Sequence, residues 1–228
     1  MTRRQALVDI VLALLLMALG VMAATAIAYL LRSRLELPQL LTLALQGLLV
    51  LASIQLLLRR RQQRWRELGL VAPTAHDLGR GVVALLCVFG LNAALSLLLG
   101  WLSPAGLEEH QQRLIDVASL LTGDLPIAAV AASMLFVGFY EELLARGFLL
   151  DRCRILLGGD WGPVLLSSLL FGLGHAYQGW MGILQTAMVG VVLAAFTLRW
   201  GTLWPAIFAH ALLNTVSLAL LREFGESV

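Results

Sequence analysis

Three short clusters of ionisable and amide residues lie inside otherwise apolar stretches, and their spacing limits what each can do. The first reads Phe139-Tyr140-Glu141-Glu142-Leu143-Leu144-Ala145-Arg146, the second Phe171-Gly172-Leu173-Gly174-His175, and the third His210-Ala211-Leu212-Leu213-Asn214. On a helix, Glu142 and Arg146 stand four residues apart on one face, where they can form an ion pair. Glu141 is rotated about 100° from Glu142, so it need not share that arginine and is free to face a cavity. His210 and Asn214 repeat the four-residue spacing and place an imidazole and an amide on one stripe. At about 1.5 Å of rise per residue, Glu141, His175 and His210 lie about 14, 20 and 10 Å from the ends of their segments on one membrane side. A single site built on three helices is therefore geometrically allowed.

A carboxylate held away from bulk water is a competent general base near neutral pH. It can take a proton from a water molecule that a neutral histidine holds through its free ring nitrogen. A second histidine and an asparagine can donate hydrogen bonds to a developing oxyanion. Hydrolysis of a peptide bond within a membrane is the reaction these parts fit. Other hydrolytic chemistries lack their parts. His175 and His210 are each followed by Ala, so no HExxH helix is present. Ser167 and Ser168 precede His175 by two turns without a Gly-x-Ser-Gly setting or a separate carboxylate to orient a base. An aspartate dyad is missing, since Asp160 falls in a loop. A zinc ion held by Glu141, His175 and His210 is the remaining competitor; the expectation adopted is no cofactor, with zinc as the alternative. A lone histidine in a span more often bridges helices by a hydrogen bond than catalyses, and the case rests on the combination.

The elements that must position these groups follow from composition. Of 228 residues, 60% are hydrophobic and 13% charged, with a mean hydropathy of +0.87, whereas soluble domains carry about a quarter charged residues. One buried core cannot absorb that excess, so the chain is an integral membrane protein. A hydrocarbon layer of about 30 Å needs about 20 apolar residues per helix. Seven stretches qualify: 6–31, 38–58, 80–102, 126–150, 162–180, 181–199 and 203–221. Strand-like alternation is absent and open sheet edges cannot face lipid, so the fold class is an all-α polytopic bundle of about seven spans. Trp65, Trp101, Trp161, Trp180, Trp200 and Trp204 all fall near predicted span ends, where indole rings favour the headgroup region.

The longest polar stretches, Arg59 to Asp77 and Ser103 to Asp124, divide a three-span part (1–125) from a four-span catalytic core (126–221). His76 and His110 lie in these stretches and read as solvated. Asp9 sits near a span end, and Asn92 reads as a polar bridge between helices. The opening residues resemble a signal peptide, but their apolar run is too long for one and six more spans follow, so an uncleaved anchor is expected.

All sixteen basic residues are Arg, which removes Schiff-base chemistry and a Ser/Lys dyad. With the N-terminus inside, eleven arginines gather on that side and four on the other, so the positive-inside rule predicts a cytoplasmic N-terminus in a multi-pass inner (plasma) membrane protein. The net charge of +2 is spread between spans and suggests no nucleic-acid partner. Cys87 and Cys153 form no disulfide framework and read as small buried hydrophobes.

Glu141-Glu142-x-x-x-Arg146, Phe171-x-x-x-His175 and His210-x-x-x-Asn214, in this order on successive apolar segments, resemble the signature of the CPBP intramembrane protease family. That family is also called Abi or CAAX-protease-like and includes the type II CAAX prenyl endopeptidases. The resemblance spans roughly residues 126–218. It implies a membrane-embedded endopeptidase with Glu141 as the base, His175 holding water, His210 and Asn214 at the oxyanion, and Glu142 and Arg146 in support. The partner it implies is a peptide or protein substrate at the bilayer. One position departs: the residue before the arginine is often aromatic in the family and is Ala145 here, which bears on groove shape more than on activity. Some relatives are associated with bacteriocin immunity, so a non-catalytic immunity or scaffolding role is the alternative.

Overall fold

The computed structural model describes residues 1–34 and 38–224. Its α-helices are α1 (Arg3–Leu31), α2 (Pro38–Arg60), α3 (Ala75–Leu102), α4 (Pro104–Thr122), α5 (Ile127–Glu142), α6 (Leu150–Leu157), α7 (Trp161–Leu173), α8 (Gly179–Trp200) and α9 (Trp204–Phe224). A π-helical segment, Leu143–Leu149, joins α5 to α6 without a break. Six apolar stretches among the described residues are long enough to cross a membrane: Arg3–Leu31, Gln39–Arg60, Ala75–Leu102, Ile127–Leu157, Ala176–Trp200 and Trp204–Glu223. The chain is a multi-pass helical membrane bundle, the expected fold class.

Local chemistry explains where the helices begin. Thr2 caps α1 reciprocally with Gln5: the Gln5 amide donates to Thr2 Oγ1 at 3.2 Å, and the Thr2 amide donates to Gln5 Oε1 at 2.8 Å. Asp77 accepts from the Thr74 amide at 2.8 Å at the start of α3.

Two expectations about the elements need correction. The stretch 162–180 is not a full span. Helix α7 has 13 residues, about 20 Å of rise against a hydrocarbon layer of about 30 Å. The backbone leaves the helix at Gly174 and re-enters at Gly179, whose φ of 79° suits glycine. An unbroken apolar run conceals such a stop from hydropathy. The polar stretch after Ser103 is also not a loop. It forms α4, with Pro104 opening the helix and one face, including His110, Ala118 and Thr122, turned inward. His110 is only 7% exposed, so it is not solvated; His76 is exposed as expected.

Inward faces meet in a core built from α1, α2, α5, the π segment and α9, with Ile54, Leu57, Leu143, Phe148 and Ile207 at its centre. Glycines set the closest approaches. A Cβ on Gly138 of α5 would lie 3.2 Å from the Ala211 nitrogen of α9. One on Gly172 of α7 would lie 2.6 Å from the Ile183 carbonyl oxygen of α8, so the two backbones meet directly there. Large apolar side chains such as Leu30, Leu97 and Trp101 face outward, as lipid contact requires. Cys153 is buried, but Cys87 is exposed on α3, so only one cysteine belongs to the core.

Polar groups tie the first helix to the first turn of α6. Asp9 accepts from Arg61 at 2.7 Å and from Arg152 Nε at 3.1 Å. The Asp9 hydrogen bond pushes Arg61 further above its ordinary pKa, against the opposing effect of burial. Arg152 is wholly buried and also donates to Asp151 and, at 2.6 Å, to Gln63. Its guanidinium lies 4.4 Å from the Phe148 ring centre. A second polar bridge joins α4, α8 and α3: His110 Nε2 meets Gln185 Oε1 at 2.9 Å, and Gln185 donates to Asn92 at 3.3 Å. Asn92 thus bridges helices as its position in span three suggests.

Candidate active site

The end of α5 presents two adjacent carboxylates to different surroundings. Glu142 is 0% exposed and its Oε1 accepts from Arg146 Nη1 at 2.7 Å, the ion pair expected from their spacing. The pair links the end of α5 to the π segment, where the Leu150 amide reaches back to the Ala145 carbonyl. Such wider turns occur frequently at functional sites. The same Glu142 oxygen meets His210 Nδ1 of α9 at 2.7 Å. A carboxylate can only accept, so Nδ1 carries a hydrogen and Nε2 points away from Glu142.

Glu141 keeps a 21% exposed side chain and faces the two imidazoles. Its Oε2 is 3.6 Å from His210 Nε2 and 3.9 Å from His175 Nε2. Both distances exceed a direct hydrogen bond, and both imidazoles turn Nε2 toward the same carboxylate oxygen. His175 Nδ1 lies 3.1 Å from the Phe171 carbonyl oxygen. That oxygen can only accept, which puts the hydrogen on Nδ1 and turns the other ring nitrogen toward Glu141.

Phe171 completes the wall. Its ring centre is 4.8 Å from that of His175 and 6.2 Å from that of His210. The Arg146 guanidinium lies 4.3 Å from the same ring centre. Beside the arginine, a Cβ on Gly190 would be 3.1 Å from Ser168 Oγ and 3.2 Å from Arg146 Nη2, so only a residue without a side chain fits. Ser168 Oγ is buried and makes no hydrogen bond to protein.

The fold thus brings together Glu141, Glu142, Arg146, His175 and His210. Asn214 lies one turn beyond His210 on α9, half-buried, with no direct bond to the cluster. Two features escape sequence reasoning: the inter-helix contact of His210 with Glu142, and the place of Gly190 and Ser168 around Arg146. The first has no signature within either motif; the second is hinted at by the small residues of 188–195.

A short re-entrant break, adjacent carboxylates and converging imidazoles inside an apolar bundle define a polytopic membrane protein with an embedded acid–histidine centre. Residues 123–216, about two fifths of the chain, match the family model described as "Type II CAAX prenyl endopeptidase Rce1-like". That match is consistent with the CPBP, or CAAX-protease-like, family that the three motifs resemble. No curated protein and no solved structure matches the chain.

Proposed function

We propose that the protein is an intramembrane endopeptidase in which Glu141 activates water for attack on a peptide carbonyl. The observation that carries this reading is the placement of Glu141 Oε2 3.6 and 3.9 Å from two imidazole Nε2 atoms. A water molecule there can donate one hydrogen to Glu141 and the other to His175 Nε2, leaving an oxygen lone pair for the substrate carbonyl. As the bond forms, the proton passes to Glu141, which delivers it to the leaving amine. His210 donates from Nε2 to the oxyanion when both ring nitrogens are protonated, a charge that the Glu142 carboxylate opposes. Asn214, one turn away, adds an amide donor once substrate is seated. Glu142 and Arg146 hold His210 in place.

Glu141, His175 and His210 are also the groups that would ligate zinc. Among the described residues no set of three or more His, Cys, Asp or Glu side chains is arranged as a metal cluster, and the reading adopted routes no step through a metal.

The test is hydrolysis of membrane peptides by purified protein in detergent. Glu141→Gln should abolish cleavage while leaving thermal stability unchanged, because Glu141 has no direct hydrogen bond to lose. Full activity in that variant would sink the assignment. A non-catalytic immunity or scaffolding protein would instead keep its biological effect with Gln at this position.

A further inference from the structure

Where α1 begins and α2 ends, a cavity of about 280 Å³ is lined by Met1, Gln5, Arg60, Arg61, Gln62 and Gln63. The charged and amide groups on this wall can all donate hydrogen bonds, and none is a carboxylate. Asp9 and Asp151, the acids bonded to this region, do not line the cavity and are taken up by Arg61 and Arg152. Arg60 is exposed and forms no ion pair among the described residues. Gln63 accepts from Arg152 through its oxygen at 2.6 Å, which leaves its amide nitrogen to donate.

The turn that shapes this wall carries an independent signal. The Gln62 amide donates to the Arg59 carbonyl at 3.1 Å and the Gln63 amide to the Leu58 carbonyl at 3.0 Å. This is a Schellman closure of α2, whose left-handed position usually takes glycine. Here it takes Gln62, at φ 55°, the one non-glycine residue with positive φ among those described. Backbone strain of this kind persists where a side chain is needed, and the Gln62 side chain lines the cavity without a protein partner.

Two helices long and apolar enough to cross a membrane meet their ends here, where a spanning helix meets the headgroup layer. We propose that the cavity seats the phosphate of an anionic phospholipid, with Arg60, Gln62 and Gln63 donating to it. The seat is independent of the proteolytic reading and lies apart from Glu141.

The experiment is native mass spectrometry of the full chain in detergent, titrated with dioleoylphosphatidylglycerol or dioleoylphosphatidylcholine, with inorganic phosphate as a competitor. Phosphatidylglycerol should bind about tenfold more tightly than phosphatidylcholine, and Arg60→Gln should weaken it about fivefold. Gln62→Gly should weaken it as well while holding or raising the melting temperature, which separates lost binding from lost folding. Arg199→Gln removes an exposed arginine outside the cavity and should change affinity less than about twofold. Equal losses for Arg60→Gln and Arg199→Gln would mean diffuse surface charge and overturn the seat. So would equal binding of the two lipids, unchanged lipid binding in Gln62→Gly, or displacement of phosphatidylglycerol by equimolar inorganic phosphate, which would mark a free-anion site.

Discussion

Gly172→Ala tests whether the approach of α7 to α8 positions the site. The added Cβ would stand 2.6 Å from the Ile183 carbonyl oxygen, 2.8 Å from the Ala187 Cβ and 3.1 Å from the Ala187 nitrogen. Close carbon–oxygen contacts normally stop at about 3.3–3.6 Å, so the helices must part by roughly 0.7–1 Å. Two of the three obstacles are backbone and cannot rotate away. Overpacking of this kind costs about 1–3 kcal/mol, which for a chain of this length lowers the melting temperature by about 2–12 °C. His175 follows Gly172 by three residues, just beyond the end of the same helix, so the shift carries to its imidazole. A displacement of about 1 Å in a catalytic group costs on the order of a hundredfold in rate. The assay pairs thermal unfolding in detergent with single-turnover cleavage of a membrane peptide. Gly90→Ala is the control, because a Cβ there meets nothing within 4 Å; it should be neutral or gain up to about 1 kcal/mol from helix propensity. Unchanged stability in Gly172→Ala would refute the close approach, and a stability loss without a rate loss would refute its coupling to His175.

Arg146→Met should destabilise the fold by about 3–5 kcal/mol by leaving Glu142 without its arginine, and the double variant with Glu142→Gln should recover part of that. Strict additivity in unfolding titrations would show that the 2.7 Å pair contributes no coupling. Asp9→Asn should lower stability by about 1–3 kcal/mol, since Arg152 keeps Asp151 and Gln63 but loses its inter-helix anion; a melting temperature equal to wild type would show that this tie is not used. Exhaustive chelation should leave peptide cleavage unchanged, and stoichiometric zinc by elemental analysis, with activity lost on its removal, would reverse the metal-free reading.

Much of the site is readable from intervals along the chain. A spacing of four couples Glu142 to Arg146, and adjacency on a helix turns Glu141 elsewhere; both hold in three dimensions. What spacing does not carry is the third dimension between helices. His210 meets Glu142 because α9 packs tightly on α5 through Gly138, and neither motif records that contact. The π segment is equally silent, since Leu143–Leu149 is an apolar run whose residue types suit an ordinary helix. His110 misleads for the opposite reason. The outward face of α4 is rich in Glu, Gln and Arg, and their polarity masks an inward stripe at helical intervals. Arg152 lies just past the expected span 126–150, and Asp9, 143 residues away, draws it fully inside, a pairing no local spacing records.

The early stop of α7 has a chemical consequence. In an uninterrupted helix the Phe171 carbonyl would be taken by the backbone amide of residue 175. Here the His175 amide turns to the Gly172 carbonyl at 2.9 Å and the Gly174 amide takes the Phe171 oxygen at 3.1 Å, a tightened turn that brings the His175 ring to the same oxygen at 3.1 Å. The break in the backbone thereby assigns polarity to the imidazole, committing one nitrogen to the scaffold and leaving the other as a lone-pair base. Extending α7 by a single turn would erase that assignment without altering any side chain of the cluster.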